Sequence, residues 1–184
     1  MFKWMMDRKL RAFERKHSYD ASYLHEVLDL DVGAFLKFGF ATNLGGYRKD
    51  VPPDVYFAAT LTSSMHADCG PCTQLGVQFA LAAGVGTAMV AAIIAGDEAG
   101  MLPDVALGAR FARALLAHAA ETDAYREQIV LRWGPRAVIA LTFGIMASQL
   151  YPTLKYALGH GKACTRVIVA DQTIAPRRLA TGVT

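Results

Sequence analysis

The chain has 184 residues, 53% hydrophobic and 19% charged, with a net charge of +3. That length suits one domain whose core needs neither disulfides nor metals to hold it together. Three cysteines are too few, and odd in number, for a secreted disulfide framework, while abundant Ala, Leu and Val with few long β-branched runs favour helices over strands.

In the opening segment, residues 1–17, Phe2, Met5, Met6, Leu10 and Phe13 recur at helical spacing. Charges interrupt it before any apolar core of a signal peptide can form, so a cytoplasmic protein is expected. It holds six Lys/Arg against two Asp/Glu, a net of +4, which leaves −1 for the rest of the chain. The basicity therefore belongs to one helix and is no footprint for nucleic acid. A membrane-surface helix is one reading of it. A solvated face on a helix packed against its own domain or a second subunit is preferred, and no membrane contact is expected.

Ser18 or Asp20 can cap a second helix that ends near Asp31. A third follows, with Phe35, Leu36, Phe40 and Leu44 on one side, and stops at Gly45-Gly46. "YRKDVPPD" is a connector, and Pro53 suits the first turn of the helix that leads into "SMHADCGPC". The uncharged run Phe79–Gly96 is long enough to span a bilayer. Gly84 and Gly86 split it into two core helices, with Thr87 as an N-cap. Asp97 and Glu98 read as a solvated loop. Pro103 opens a helix with Val105, Ala109, Ala112 and Leu116 on one stripe, and a short helix ends at Trp133-Gly134. Pro135 starts a long apolar helix that Pro152 stops. Beyond it the pattern is loop-like around "GHGKAC", with one short strand in "TRVIVA". The expectation is a single all-α domain: helices in 1–50, a core in 51–160 that carries the CxxC, and a loop-like tail in 161–184.

The chemistry concentrates in "CGPC". Pro71 belongs in a first helical turn, which puts Cys69 at or next to the N-cap, where unpaired N–H groups and the helix dipole favour a thiolate. Cys72 follows a turn further in and is expected to be less exposed. The spacing brings both sulfurs to one side, within reach of a disulfide. His66, if nearby and protonated, adds a favourable charge. The expected catalytic set is thus Cys69, Cys72 and His66, with no cofactor. A metal site would need Cys164 or His118 as a fourth ligand beside His66, Cys69 and Cys72, and no second CxxC or HxxxH supports one. Cys164 reads as a bystander in the tail, and His118 as an ordinary helix histidine.

The order of motifs resembles the alkylhydroperoxidase D-like (carboxymuconolactone decarboxylase) family over roughly Val51 to His160. It is carried by "VPPDVYFAATLTSSMHADCGPCTQLGVQFALAAGV", "PDVALGARFARALLAHAAET" and "WGPRAVIALTFGIMASQLYPTLKYAL". The resemblance implies an all-helical bundle, a homo-oligomer, and reduction of a peroxide or disulfide with a thiol protein as reductant. Dithiol members usually carry a histidine four residues after the second cysteine and a glutamate about twelve before the first. Gly76 and Phe57 stand at those positions here, so the family's proton relay is absent. Family practice makes Cys72 the relayed thiol, whereas the helix-end argument favours Cys69, which is preferred. Two other functions fit the sequence, a non-enzymatic helical oligomer and a small-lactone decarboxylase or isomerase. The second relies in the family on a polar acid–base site rather than on CxxC.

Overall fold

Proline sets where four helices begin: Pro53, Pro103 and Pro135 each occupy a first helical position, and Pro71 lies in a first turn. Its fixed φ is already helical, and the missing N–H is one that a helix start leaves unpaired anyway. The computed structural model describes residues 2–177. The helices are α1 (Phe2–His17), α2 (Ser22–Leu30), α3 (Val32–Thr42), α4 (Pro53–His66), α5 (Gly70–Ala82), α6 (Thr87–Ala95), α7 (Pro103–Leu116), α8 (Thr122–Trp133) and α9 (Pro135–Ala157). Short 3-10 turns cover Asn43–Gly46 and Glu98–Gly100. One antiparallel hairpin, β1 (Val167–Val169) and β2 (Gln172–Ile174), pairs Ile168 with Thr173. The all-α class holds.

Helix α4 is the axle. Its residues from Val55 to Met65 are buried on every side except at Thr60, as a helix in the middle of a core must be. On one side Phe57, Leu61, Val77, Val90 and Ile93 pack with Val167 of the hairpin. On the other, Val55 meets Phe111, Ile129, Leu141 and Ile145. Helix α7 comes so close that a Cβ on Gly108 would sit 2.7 Å from the Val55 carbonyl oxygen. Ser63, fully buried, ties α4 to α9: its hydroxyl donates to the Ile145 carbonyl at 3.1 Å, and the Gln149 amide donates to the Ser63 carbonyl at 2.7 Å.

Several boundaries differ from expectation. Helix α2 ends with Asp31 as its C-cap, as expected, and the same residue also caps α3, its carboxylate accepting from the Gly33 and Ala34 N–H groups. Helix α2 starts at Ser22, whose N–H donates to Asp20. Gly86 rather than Thr87 is the N-cap of α6, but the split at Gly84 (φ +87°) stands. Glu98 is no loose loop residue, because Arg110 and Arg113 both pair with it and hold its carboxyl below its ordinary pKa against the opposing effect of burial. Pro152 does not stop α9, which runs on to Ala157. The reason lies in tertiary packing. Leu154 and Leu158 close over the buried Tyr19 and Tyr23, and that burial outweighs the one backbone hydrogen bond a proline removes. The tail is not all loop either, since β1 pairs with a second strand and buries Val167 and Val169. Residues 178–184 of that tail lie outside the described residues. Among the described residues α9 alone is long and apolar enough to cross a membrane, and here Ala137, Leu141 and Ile145 on it are core.

Lys155 is the one buried charge of that helix, 2% exposed, with its ammonium 4.3 Å from the Tyr19 ring centre and 4.8 Å from that of Tyr23. Burial lowers its pKa from 10.5 to about 8, opposed by Asp20 and reinforced by Lys162. Between those values the unfolded chain binds more protons than the folded one, so stability rises with pH. Above 10 the buried Tyr19 hydroxyl, pushed up to about 12, reverses the trend, because the unfolded tyrosine ionises first. The urea midpoint of the oxidised protein should therefore climb from roughly pH 7.5 to 9.5. Lys155→Met should flatten that climb and raise the midpoint at neutral pH.

Candidate functional site

The chain reverses direction between α4 and α5 through Asp68, whose φ of +49° is left-handed, a conformation that Asp tolerates better than most residues. Cys69 follows in extended geometry as the N-cap of α5, and its sulfur accepts the Cys72 N–H at 3.3 Å. Cys69 and Cys72 are joined in a disulfide. The N-cap expectation is met.

The exposure order is the reverse of the one expected. Cys69 is fully buried, whereas Cys72 is half-buried and lines a cavity of about 570 Å³. Cys69 is covered by the chain beyond α9. The Gly70 N–H donates to the Lys162 carbonyl at 3.0 Å, and the Cys164 N–H donates to the Asp68 carboxylate at 2.9 Å. The Tyr156 hydroxyl donates to the Asp68 carbonyl, and Gln74 and Ile168 exchange two hydrogen bonds of 2.8 Å. Residues 162–168 thus strap the start of α5. Cys164 stands outside the disulfide, with its backbone part of the strap and its side chain buried.

The cavity is built from matched helical faces. Helix α5 contributes Cys72, Leu75, Gly76 and Phe79, at i, i+3, i+4 and i+7. Phe57, Leu61 and Ser64 of α4 face them, and α1 closes over the top with its own i, i+3, i+4, i+7 face, Met6, Lys9, Leu10 and Phe13. Met6, Leu10 and Phe13 are thus what the apolar stripe read in α1 is for. Helix α1 is fastened to the body by His17 and Gln78, which share hydrogen bonds of 3.0 and 3.1 Å. His25 adds a clasp between Asp7 and Glu14, at 2.8 and 3.2 Å.

Both relay positions, Phe57 and Gly76, line this cavity with Cys72. A Cβ at position 76 would lie 2.9 Å from Leu61 Cδ2, so α4 and α5 touch there with no room for a side chain unless Leu61 swings aside. His66 sits half-buried in the last turn of α4 and is not among the cavity residues. The structure therefore does not bring it to the side of Cys72 that opens on the cavity. His118 is exposed in the turn after α7. Among the described residues no group of three or more His, Cys, Asp or Glu is placed to hold a metal. Sequence reasoning missed Arg48, whose guanidinium lies 4.6 Å from the ring centre of Tyr56 and 5.1 Å from that of Phe57 at the cavity edge. Nothing in its sequence neighbourhood, a polar connector, marks it.

Fold and site together define a helical protein with a dithiol–disulfide pair at a helix N-terminus, one sulfur buried and the other facing an apolar cavity. No family model, curated protein or solved structure matches the chain.

The strap is tight enough to test. A Cβ on Gly70 would meet the Ala163 carbonyl oxygen at 2.8 Å. Gly70→Ala should cost about 1–3 kcal/mol, as over-packing does, read from urea midpoints. In the reduced wild type under native conditions, iodoacetamide should spare Cys69. In Gly70→Ala, peptide mapping should find Cys69 alkylated.

Proposed function

We propose that the protein is a thiol–disulfide oxidoreductase of the alkylhydroperoxidase D-like kind, slow with peroxides because the family relay is missing. One observation carries this: Cys72 opens on a cavity while its disulfide partner caps a helix. In the oxidised state an incoming reductant thiolate attacks the accessible sulfur of Cys72. The S–S bond breaks, and the electron pair leaves on Cys69. That sulfur is where a thiolate is best accommodated, next to the Cys72 N–H and the positive end of α5. A second thiol of the reductant then displaces Cys72, giving the reduced pair and an oxidised reductant. In the forward direction the Cys72 thiolate attacks a hydroperoxide oxygen, an alcohol leaves, and Cys69 displaces water from the resulting sulfenic acid to restore the disulfide. The helix-end argument thus selects Cys69 as the stabilised leaving thiolate, and access selects Cys72 as the exchanging one. His66 has no step in this scheme.

Phe57 and Gly76 flank Cys72 in one cavity, as the relay positions of the family would, which supports the resemblance. The lactone decarboxylase alternative finds no carboxylate for an acid–base pair there, as no Asp or Glu among the described residues lines the cavity. A cytoplasmic location and a thiol protein as reductant belong to the same proposal. So does a homo-oligomer. Its interface would use α1 or α9, which present apolar surface through Phe2, Trp4 and Met5 of α1 and Ile139 and Met146 of α9.

Stopped-flow mixing of the reduced protein with tert-butyl hydroperoxide tests the chemistry. Slow formation of the Cys69–Cys72 disulfide is expected. Gly76→His with Phe57→Glu, made with Leu61→Ala to clear the Cβ contact, restores a general base beside Cys72 and should speed it by about a hundredfold. A wild type that forms no disulfide with peroxide or with a small disulfide would overturn the proposal.

A further inference from the structure

We infer that the cavity beside Cys72 binds a single-chain amphiphile, an apolar tail with one carboxylate head, the head being held at the mouth by Lys9 and Arg48. This deepens the oxidoreductase proposal by naming what reaches Cys72. Of the residues lining the cavity only Lys9, Arg48 and Phe79 are exposed, so they mark its mouth. Deeper in, the walls are apolar, aromatic or hydroxyl-bearing, apart from Cys72 and glycines. About 570 Å³ falls within the roughly 300–1,000 Å³ of small-molecule pockets, which suits one tail.

The head group follows from charge. Among the described residues no Asp or Glu lines the cavity, and neither Lys9 nor Arg48 forms an ion pair. Two cations uncompensated by the protein, at the rim of an apolar space, complement an anion whose tail goes inward. Arg48 is held in one orientation by stacking on Tyr56 and Phe57 and by donating from Nε to the Gly45 carbonyl at 3.3 Å. A fixed planar guanidinium favours a planar carboxylate. A cationic head would meet like charge there, and a neutral head would forgo the charge–charge attraction.

The experiment is calorimetric titration of the oxidised protein, below micellar concentrations, with decanoate, decan-1-ol and decyltrimethylammonium. With no thiol in the solution the oxidised protein does no exchange chemistry, so a failure to bind leaves the dithiol proposal standing, and a failed dithiol leaves binding readable. Decanoate should bind most tightly and weaken with salt. Lys9→Gln and Arg48→Gln should each weaken decanoate by about three- to fivefold, and together by about tenfold, with decan-1-ol unchanged. Leu75→Trp, which fills the cavity, should abolish binding of both. If that variant does not fold, protection of Cys72 from iodoacetamide by decanoate in the reduced wild type serves instead. Three results would each overturn the inference: decan-1-ol binding as tightly as decanoate, a preference that survives the double substitution, or occupancy that leaves Cys72 alkylation unchanged.

Discussion

The backbone of residues 162–164 crosses the start of α5 so closely that only glycine fits at position 70. Much else depends on that crossing. It buries Cys69 while leaving its sulfur in place as the cap of α5, and it rests on Asp68, whose carboxylate accepts from the Cys164 N–H of the strap and whose carbonyl accepts from the Tyr156 hydroxyl near the end of α9. With Cys69 sealed beneath the strap, Cys72 is the sulfur of the pair that faces the cavity. Two cysteines three positions apart are thereby left in unequal surroundings, one sealed and one facing the cavity.

What lies beyond the pair is shaped by the same economy of space. Helix α4 is buried on nearly every side, so α5 and α9 can offer only their inner faces to it, and where those faces diverge the cavity remains. Helix α1 roofs it with an apolar face that buries no side chain completely. Its basic residues are mostly on the outer side, but Lys9 turns to the rim. The apolar interior and cationic mouth are consequences of where α1 lands, and α1 is fastened there by His17, His25 and their partners.

Much of this was legible in the residues. Prolines at helix starts and the Gly84 break are local signals, and local signals survive folding: α4, α5, α7 and α9 begin where they indicate. The N-cap position of Cys69 follows from Pro71 by the same logic. What was not legible is tertiary. Pro152 lies inside α9 because Tyr19 and Tyr23, more than a hundred residues away, reward the turns that follow it. The second strand, "QTI", is too short and polar to be seen without its partner. The exposure of Cys69 and Cys72 is inverted because a helix-end argument ranks thiolate stability and says nothing of what covers the sulfur. The strap that covers it comes from a segment that reads as loop.

The central claim, that Cys72 exchanges and Cys69 leaves, is tested most directly by trapping. Each cysteine of the pair is replaced in turn by serine, and the variant is incubated with a small aromatic disulfide. Peptide mass spectrometry then locates any stable mixed disulfide. Cys69→Ser should accumulate a mixed disulfide on Cys72 that persists for want of a second thiol, and Cys72→Ser should accumulate little on Cys69. A mixed disulfide that forms readily on Cys69 and not on Cys72 would contradict the assignment of roles.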